Sequence, residues 1–434
     1  MIDADLSVVD AAELVTVRGP APRLGPQMRD PGLIEHGCIA ARDGLIVFVG
    51  DEREYRRQVR LSRHGIEIDA SGCTVLPGFV DPHTHLPFAG WRDHEMAARL
   101  RGETYESIAA AGGGILSTVE ATRRASLDDL VALGKGRLNS MMLHGTTTVE
   151  AKSGYGLSLE HEIKQLRALH RLDAIHPIDI IPTFLGAHVV PRERRSDRAG
   201  YVRELVEGMI PEVARERLAR YCDVFVDEGA FSSAEGELIL RAAAAQGLGA
   251  RVHADQRGAS GGALLAARVG AASADHLEHI DEAGIEALRA AGTTAVLLPG
   301  AAFFLRDPAD APARRLIEAG VAVALATDFN PGTCPAEAMS AVLPLASLRL
   351  GLDPAEVIAA ATLNAAHALG LAESRGSLEV GKIADLQVLD IPNHRHLVYR
   401  FGVNHCITVV KEGRVVVESA ALAGTILDGP AEQG

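Results

Sequence analysis

Short apolar segments alternate with helical segments through the middle of the chain, and this alternation restricts the fold more than any other feature of the sequence. Helical patterns separate the apolar segments; one begins with a capping box at Ser232 and Glu235, and another ends at Gly292. Eight segments have the length and composition of buried strands: residues 74–80, 146–151, 178–184, 222–226, 250–253, 272–276, 294–298 and 321–326. Eight strands that alternate with helices predict an α/β fold, the (β/α)8 TIM barrel.

A doubly wound open sheet is the competing fold, and the positions of the polar residues argue against it. Titratable side chains stand at the ends of several different strands: His83, His85, Asp227, Glu228, His253, His276 and Asp328. An open sheet concentrates its site at one switch point, whereas a barrel gathers the carboxyl ends of all its strands at one mouth. The distribution therefore favours the barrel.

The two ends of the chain differ from the middle, because both contain hairpin patterns. Residues 38–50 form two apolar runs joined by Asp43-Gly44, and residues 407–417 repeat the pattern near the C-terminus. We therefore predict a small β-sandwich domain built from both termini. The predicted division is 1–75 and 373–434 for this domain and 76–372 for the barrel.

Composition excludes several classes of protein. With 43 basic and 57 acidic residues the net charge is −14, which disfavours a nucleic-acid partner. No apolar run approaches the ~18 residues that cross a bilayer, and the acidic N-terminus lacks the pattern of a signal peptide. The five cysteines lie far apart, as is typical of reduced thiols, so we expect a cytoplasmic protein.

The segment Asp81-Pro82-His83-Thr84-His85 carries the strongest chemical signal. Histidines at i and i+2 of an extended chain point the same way, so both can face one ion, and imidazole suits zinc or iron. In a chain with 17 histidines, packing alone would explain such a pair almost as well. The further histidines and aspartate at other strand ends favour a metal site, where an ion lowers the pKa of bound water towards ~7.

Taken together, these residues resemble the amidohydrolase superfamily of metal-dependent hydrolases. The resemblance rests on the His-x-His after the first strand, the histidines of the fifth and sixth, the aspartate after the eighth and the tail 376–385. A finer resemblance is to the imidazolonepropionase family. It is carried by residues 77–92, 111–115, 152–157, 184–188, 253–256, 273–277 and 327–333, and KSGYG, FLGAH and TDFNPG are its most specific motifs.

The resemblance implies one divalent metal ion, Zn²⁺ or iron, and a set of ligands for it: His83, His85, His253 and Asp328. Many relatives in the superfamily place a lysine after the fourth strand, where it bridges two ions. Here that strand ends in Asp227-Glu228, and Lys152 follows the second strand instead. We therefore expect one metal ion rather than two.

The resemblance also implies a substrate, 4-imidazolone-5-propanoate, whose cyclic amide would open to N-formimidoyl-L-glutamate in histidine degradation. It makes Asp328 the base and His276 the donor to the oxyanion. The implied substrate-binding residues are Arg92, Tyr155, His188, Gln256, Asn330, Gly332 and Thr333. Some relatives carry glutamate at position 256, but glutamine cannot act as a base, which leaves that role to Asp328.

Other interpretations of the same residues stay open at this point. Arg92 would also suit a loop-bracing role, Tyr155 a packing role and His188 a structural role. The chain would also suit another amidohydrolase that acts on a cyclic amide or deaminates a heterocyclic amine, or a metal-binding barrel without catalysis. The partner expected is a small molecule, with no membrane or nucleic acid, and the resemblance implies a homodimer.

Overall fold

Two sheets of eight strands build the described part of the chain. The computed structural model describes residues 1–103, 107 and 112–418. The first residue of the segment 111–115 and the end of the predicted C-terminal unit therefore lie outside the described residues. One sheet forms the barrel and the other joins strands from both ends of the chain.

The barrel strands follow one another in chain order, and every neighbouring pair is parallel. They are β6 (Phe79–Asp81), β7 (Thr146–Lys152), β8 (Asp179–Ala187), β9 (Tyr221–Val226), β10 (Gly249–Ala254), β11 (Ser273–His276), β12 (Thr294–Leu297) and β13 (Val323–Leu325). The predicted α/β barrel is thereby confirmed.

Helices connect and surround these strands in the described residues. Their bounds are α1 (Glu52–Gln58), α2 (Asp93–Leu100), α3 (Ile115–Arg124), α4 (Leu127–Leu143), α5 (Leu159–Ile175), α6 (Arg198–Glu204), α7 (Ile210–Arg215), α8 (Ser233–Ala245), α9 (Gly262–Arg268), α10 (Glu282–Ala291), α11 (Pro299–Leu305), α12 (Ala313–Ala319), α13 (Met339–Leu350), α14 (Pro354–Ala361), α15 (Leu363–Ala368) and α16 (His396–Tyr399). The predicted capping box opens α8, where Ser232 and Glu235 bond each other's backbone N–H groups. In the described ranges, no helix is both long and apolar enough to cross a membrane.

The first predicted strand, residues 74–80, is in fact two strands that belong to different sheets. Thr74–Pro77 forms β5, which pairs with the terminal strands, and Phe79–Asp81 forms β6 of the barrel. Gly78 separates them, and a Cβ there would collide with the side chain of Thr147. The apolar run conceals this break because both strands are buried.

The barrel closes where the chain after β13 meets the chain after β6. The Asp81 carboxylate accepts hydrogen bonds from the backbone N–H of Thr327, at 3.1 Å, and from its hydroxyl, at 2.5 Å. The carbonyl of His83 accepts from the N–H of Asp328, at 3.1 Å. The closing seam therefore places the His-x-His segment beside Asp328.

The second sheet contains β1 (Ile2–Val15), β2 (Leu33–Arg42), β3 (Leu45–Asp51), β4 (Val59–Asp69), β5, β14 (Leu386–Leu389), β15 (Cys406–Lys411) and β16 (Arg414–Glu418). Both predicted hairpins are present, as β2–β3 and β15–β16. Each turns on two residues with positive φ, Asp43-Gly44 and Glu412-Gly413, which the twist of a two-residue hairpin requires. The division of the chain at residues 75 and 372 stays a prediction.

Gly145 lies where the barrel contacts the second sheet, and a substitution there tests how closely the two sheets pack. Its φ is +87°, and a Cβ there would collide with the buried amide of Gln387, on β14. Gly145→Ala should lower the free energy of unfolding by about 2–4 kcal/mol, since the backbone strain and the overlap add.

Gly247 is a matched control, because its φ is +85° but nothing lies within 4 Å of a Cβ there. Gly247→Ala should cost only the backbone part, about 1–2 kcal/mol. Urea unfolding followed by circular dichroism compares the two variants, and equal losses would contradict the close contact at Gly145.

Candidate active site

Three histidine side chains meet at the carboxyl end of the barrel. His83 and His85 follow β6, and His253 lies in β10 on the far side of the barrel. All three are buried, and each offers a ring nitrogen within 4.8 Å of the other two. The Nε2 atoms of His85 and His253 lie 3.4 Å apart. The predicted histidine cluster is thus assembled from distant parts of the chain.

Carboxylates behind the cluster fix the tautomers of two of these histidines. His83 Nδ1 lies 2.7 Å from Asp275, and His253 Nδ1 lies 3.1 Å from Asp223. Because a carboxylate accepts hydrogen bonds, each Nδ1 carries the proton and each Nε2 keeps its lone pair. Burial lowers the pKa of His83, His85 and His253, so the rings are neutral at physiological pH.

Asp328 completes the cluster from the other side of the seam. Its Oδ1 lies 3.5 Å from the Nε2 atoms of both His83 and His85. Burial raises the pKa of Asp328 to about 7. Ligand atoms of His83, Asp328 and His276 also lie within 4.8 Å of one another.

These four side chains fit a divalent cation. Ligand atoms that lie about 2.0–2.1 Å from a tetrahedral ion stand about 3.4 Å apart, which matches the spacings here. His83 Nε2 is buried without a hydrogen-bond partner in the described chain, and its lone pair points at this space. The donor set of three neutral imidazoles and one carboxylate suits zinc or iron.

A buried network of charges supports the cluster from inside the barrel. Lys152 Nζ lies 2.7 Å from Glu150, 2.8 Å from Asp223 and 3.7 Å from Asp275. Arg251 Nη2 lies 3.4 Å from Asp275 and also donates to the carbonyl of Pro82. The same two aspartates that orient the histidines are therefore held in place by Lys152 and Arg251.

Lys152 stays charged in this network. Burial opposes its charge, but Asp223 and Glu150 outweigh burial and raise the pKa of Lys152. Burial likewise opposes ionisation of Asp223, but His253 and Lys152 outweigh it and hold the pKa of Asp223 well below its usual value. An ammonium engaged by two carboxylates is not available to bridge metal ions.

His276 stands beside Asp328 at the end of β11. Burial opposes protonation of its ring, but the nearby carboxylate of Glu278 outweighs burial and raises the pKa of His276. The Nδ1 atom lies 3.8 Å from Glu278 Oε1. His276 is thus favoured as a hydrogen-bond donor towards the cluster.

The cluster opens into a cavity of about 670 Å³. Most of the residues singled out from the sequence line it: His85, Arg92, Tyr155, His188, His253, Gln256, His276, Asp328, Asn330 and Thr333. Phe225, Val189 and Val190 add apolar wall. His83 lies beneath the cavity, and Gly332 lies behind Arg92.

Arg92 is buried and fully oriented by Glu95. Its Nε and Nη2 donate to the two carboxylate oxygens, at 2.9 and 2.8 Å. The remaining Nη1 lies against Gly332, where any side chain would collide with it. Arg92 therefore braces its own loop, and among the described residues its Nη1 has no hydrogen-bond partner.

The loop that carries Tyr155 is held by two buried side chains of α5. The carboxylate of Glu162 accepts from the N–H groups of Gly154, Gly156 and Leu157, at 2.7–3.0 Å. Gln165 accepts from the N–H of Tyr155, at 3.1 Å. Burial raises the pKa of the Tyr155 hydroxyl, so it remains a neutral donor on the cavity wall.

His188 follows β8 and lies stacked on His85, with ring centroids 5.2 Å apart. Its Nδ1 lies 3.0 Å from the carbonyl of Gly154, which only accepts, so Nδ1 carries the proton and Nε2 is an acceptor. Burial lowers the pKa of His188 to about 3, and the ring stays neutral.

The last predicted site residues are held by their own loops. Asp227 accepts from the backbone N–H groups of Gln256 and Arg257, at 3.1 and 2.8 Å, and thereby positions Gln256 on the cavity wall. The side-chain NH2 of Asn330 donates to the carbonyl of Asp328 and to the hydroxyl of Thr333. Its side-chain oxygen accepts from the backbone N–H groups of Gly332 and Thr333. Asn330 thus shapes this turn, and its contact with substrate stays a prediction.

Sequence reasoning missed the supporting carboxylates and cations. These residues are Glu95, Glu150, Glu162, Asp223 and Arg251, and their side chains are buried. A signal for three of them was present, because Glu150, Asp223 and Arg251 are charged residues inside segments that the sequence predicts to be buried strands. A charge at such a position is expected only with a partner inside the barrel.

Comparison with known proteins agrees with this geometry. Residues 74–416 match the model of the amidohydrolase family. The chain is 53% identical over 419 residues to the imidazolonepropionase of Symbiobacterium thermophilum, covering 96% of this chain and 98% of the relative. It is 52% identical over 416 residues to the imidazolonepropionase of Geobacillus kaustophilus, and the match covers 95% of this chain and 98% of that relative.

The chain belongs to the imidazolonepropionase family. Among solved structures, it is similar to a mutant atrazine chlorohydrolase of Arthrobacter aurescens complexed with zinc, with a TM-score of 0.72, 18% identity and 96% and 97% coverage. An adenosine deaminase of Xanthomonas campestris with bound zinc gives a TM-score of 0.68, 20% identity and 96% and 94% coverage. At this level of identity, these structures show only that the chain shares their fold.

The two aspartates behind the histidines provide a test of whether the cluster binds a metal ion. Asp223→Asn and Asp275→Asn should each weaken zinc affinity about 10- to 100-fold, because each removes the carboxylate that orients a ligand. Affinity is measured by competition with a chromophoric chelator on metal-stripped protein.

Asp281→Asn is the control, since Asp281 caps α10, where asparagine serves equally well. Zinc affinities within a factor of two across all three variants would show that the aspartates do not support the metal site.

Proposed function

We propose that this chain hydrolyses 4-imidazolone-5-propanoate to N-formimidoyl-L-glutamate, the ring-opening step in histidine degradation. The observation that carries the proposal is one cavity with a metal-binding cluster at its base and Arg92 on its wall. This arrangement suits a ring amide at the base and a carboxylate tail on the wall. Relatives about half identical over nearly the whole chain carry the name imidazolonepropionase, which supports this reading over a deaminase.

We further propose that one divalent ion, zinc or iron, is held by His83, His85, His253 and Asp328. When bound, such an ion polarises an amide carbonyl and lowers the pKa of water enough to make it a nucleophile at neutral pH. The engagement of Lys152 by Glu150 and Asp223 supports one ion rather than a bridged pair.

The cavity residues would hold the substrate through complementary hydrogen bonds. The Nη1 group of Arg92 would bind the tail carboxylate. His188 offers a lone pair on Nε2 to a ring N–H, and the neutral Tyr155 hydroxyl offers a donor. Gln256 can both donate to and accept from the ring amide, and Gly332 and Thr333 form the neighbouring turn.

Two groups beside the reacting carbon would manage its charge and protons. Asp328 would accept a proton from the attacking water as the oxygen–carbon bond forms. His276 would donate a hydrogen bond to the oxyanion that develops on the former carbonyl oxygen. Asp328 would then pass the proton to the ring nitrogen as the carbon–nitrogen bond breaks, which leaves a new carboxylic acid that ionises in water.

A homodimer and a cytoplasmic location are consistent with this role and stay predictions. The absence of nucleic-acid binding, expected from the net charge of −14, also stays a prediction. The small-molecule substrate is the partner that the cavity supports.

A spectrophotometric assay tests the function directly. Freshly prepared imidazolonepropanoate loses its ultraviolet absorbance when the ring opens, so turnover is followed continuously. Turnover should stop after chelation and return when zinc or iron is added. No absorbance loss with fully metallated protein would exclude this substrate, and screening of other cyclic amides and heterocyclic amines would follow.

Asp328→Asn tests the proposed base. The amide keeps the shape of the carboxylate but does not accept the proton, so kcat should fall by at least about 10³-fold. Metal content is measured in parallel, and turnover is compared only between metal-loaded samples. Normal kcat in the metal-loaded variant would exclude Asp328 as the base.

A further inference from the structure

Three charged residues at the start of α2 and along it border the cavity. Arg92 immediately precedes the helix, and Glu95 and Arg99 lie four residues apart on one of its faces. All three line the cavity. The spacing makes them one group of charges rather than three independent side chains.

Arg92 alone does not give this wall a net charge. Its guanidinium is held by both oxygens of Glu95, so the pair is electrically neutral. Glu95 is oriented further by the N–H of Gly114, at 2.6 Å. A carboxylate guest that met only this pair would face as much negative as positive charge.

Arg99 supplies the charge that the pair lacks. No carboxylate of the described residues lies within 4 Å of its guanidinium, in contrast to Arg92. Its Nη2 donates to the carbonyl of Gly332, at 3.1 Å, and its guanidinium carbon lies 5.5 Å from the ring centroid of Phe304. The side chain is half-buried, so this cation is partly removed from water.

The surroundings of Arg99 favour an anion. Burial and Arg92 lower the pKa of Arg99, and Glu95 only partly offsets them. An anion between Arg92 and Arg99 would relieve both effects.

Both arginines also meet at Gly332. Arg92 Nη1 occupies the space that a side chain of Gly332 would need, and Arg99 donates to its carbonyl. The absence of a side chain therefore lets the two guanidinium groups approach the same point of the wall from different directions.

We infer that Arg99 is a second guanidinium of the substrate-tail site and the residue that gives this site its positive charge. Arg92, Glu95 and Arg99 together carry one excess positive charge, which a single carboxylate neutralises. Arg99 thereby selects substrates whose tail ends in a carboxylate over those whose tail is neutral. This inference rests on the proposed function and names a specificity residue for it.

The test compares an acid with its amide. The probes are 3-(imidazol-4-yl)propanoate and the corresponding primary amide, which differ only in the charge of the tail. Isothermal titration calorimetry gives both dissociation constants for the metal-loaded enzyme. Arg99→Gln should weaken binding of the acid about 10- to 100-fold and change binding of the amide less than about threefold, as expected for a charge-assisted hydrogen bond.

Arg101→Gln is the matched control. Arg101 lies two residues after Arg99 but is exposed and paired with Glu103. Its binding of both probes should equal that of the unmodified enzyme. Arg99→Lys should restore most of the preference for the acid, since it keeps the charge. With imidazolonepropanoate, Arg99→Gln should raise KM by the same factor and leave kcat within about threefold.

Two outcomes would overturn the inference. Equal losses for acid and amide would show that Arg99 only supports the loop, and an unchanged preference in Arg99→Gln would leave Arg92 as the tail cation. Failure of the unmodified enzyme to open imidazolonepropanoate would instead contradict the proposed function, since the acid–amide comparison does not require turnover.

Discussion

The ion pairs of Lys152 with Glu150 and Asp223 are the interaction on which the rest of the site depends. An isolated charge inside a barrel is strongly unfavourable, so each of these groups requires the others. The network holds Asp223 against His253 and Asp275 against His83. Because these carboxylates bind Nδ1 of His83 and His253, the Nε2 lone pairs of the two rings point towards the mouth of the barrel.

The walls of the cavity are built by the same principle of buried carboxylates that accept backbone N–H groups. Glu162 holds the loop of Tyr155, Asp227 holds the backbone at Gln256, and Glu95 holds both Arg92 and Gly114. Each loop carries a side chain that faces the cavity. A rigid wall reduces the entropy lost when a substrate is bound, because its donors and acceptors are already in position.

The histidine cluster and the two cavity arginines, Arg92 and Arg99, are linked through the turn after β13. Asp328 contributes to the cluster, and four residues later Gly332 meets Arg92 and Arg99. Asn330 bonds both ends of this short segment. One hydrogen-bonded turn therefore fixes the position of Asp328 relative to the two arginines.

Much of this organisation was predictable from local patterns. The alternation of strands and helices, the hairpins at Asp43 and Glu412 and the histidine pair after β6 depend on neighbouring residues, so the sequence determined them. The ion pair of Lys152 with Asp223, the contact of Arg92 with Gly332, and the break between β5 and β6 depend on residues far apart in the chain. Only the tertiary structure decided these, because closure of the barrel is what brings the charges together and removes the water that would otherwise screen them.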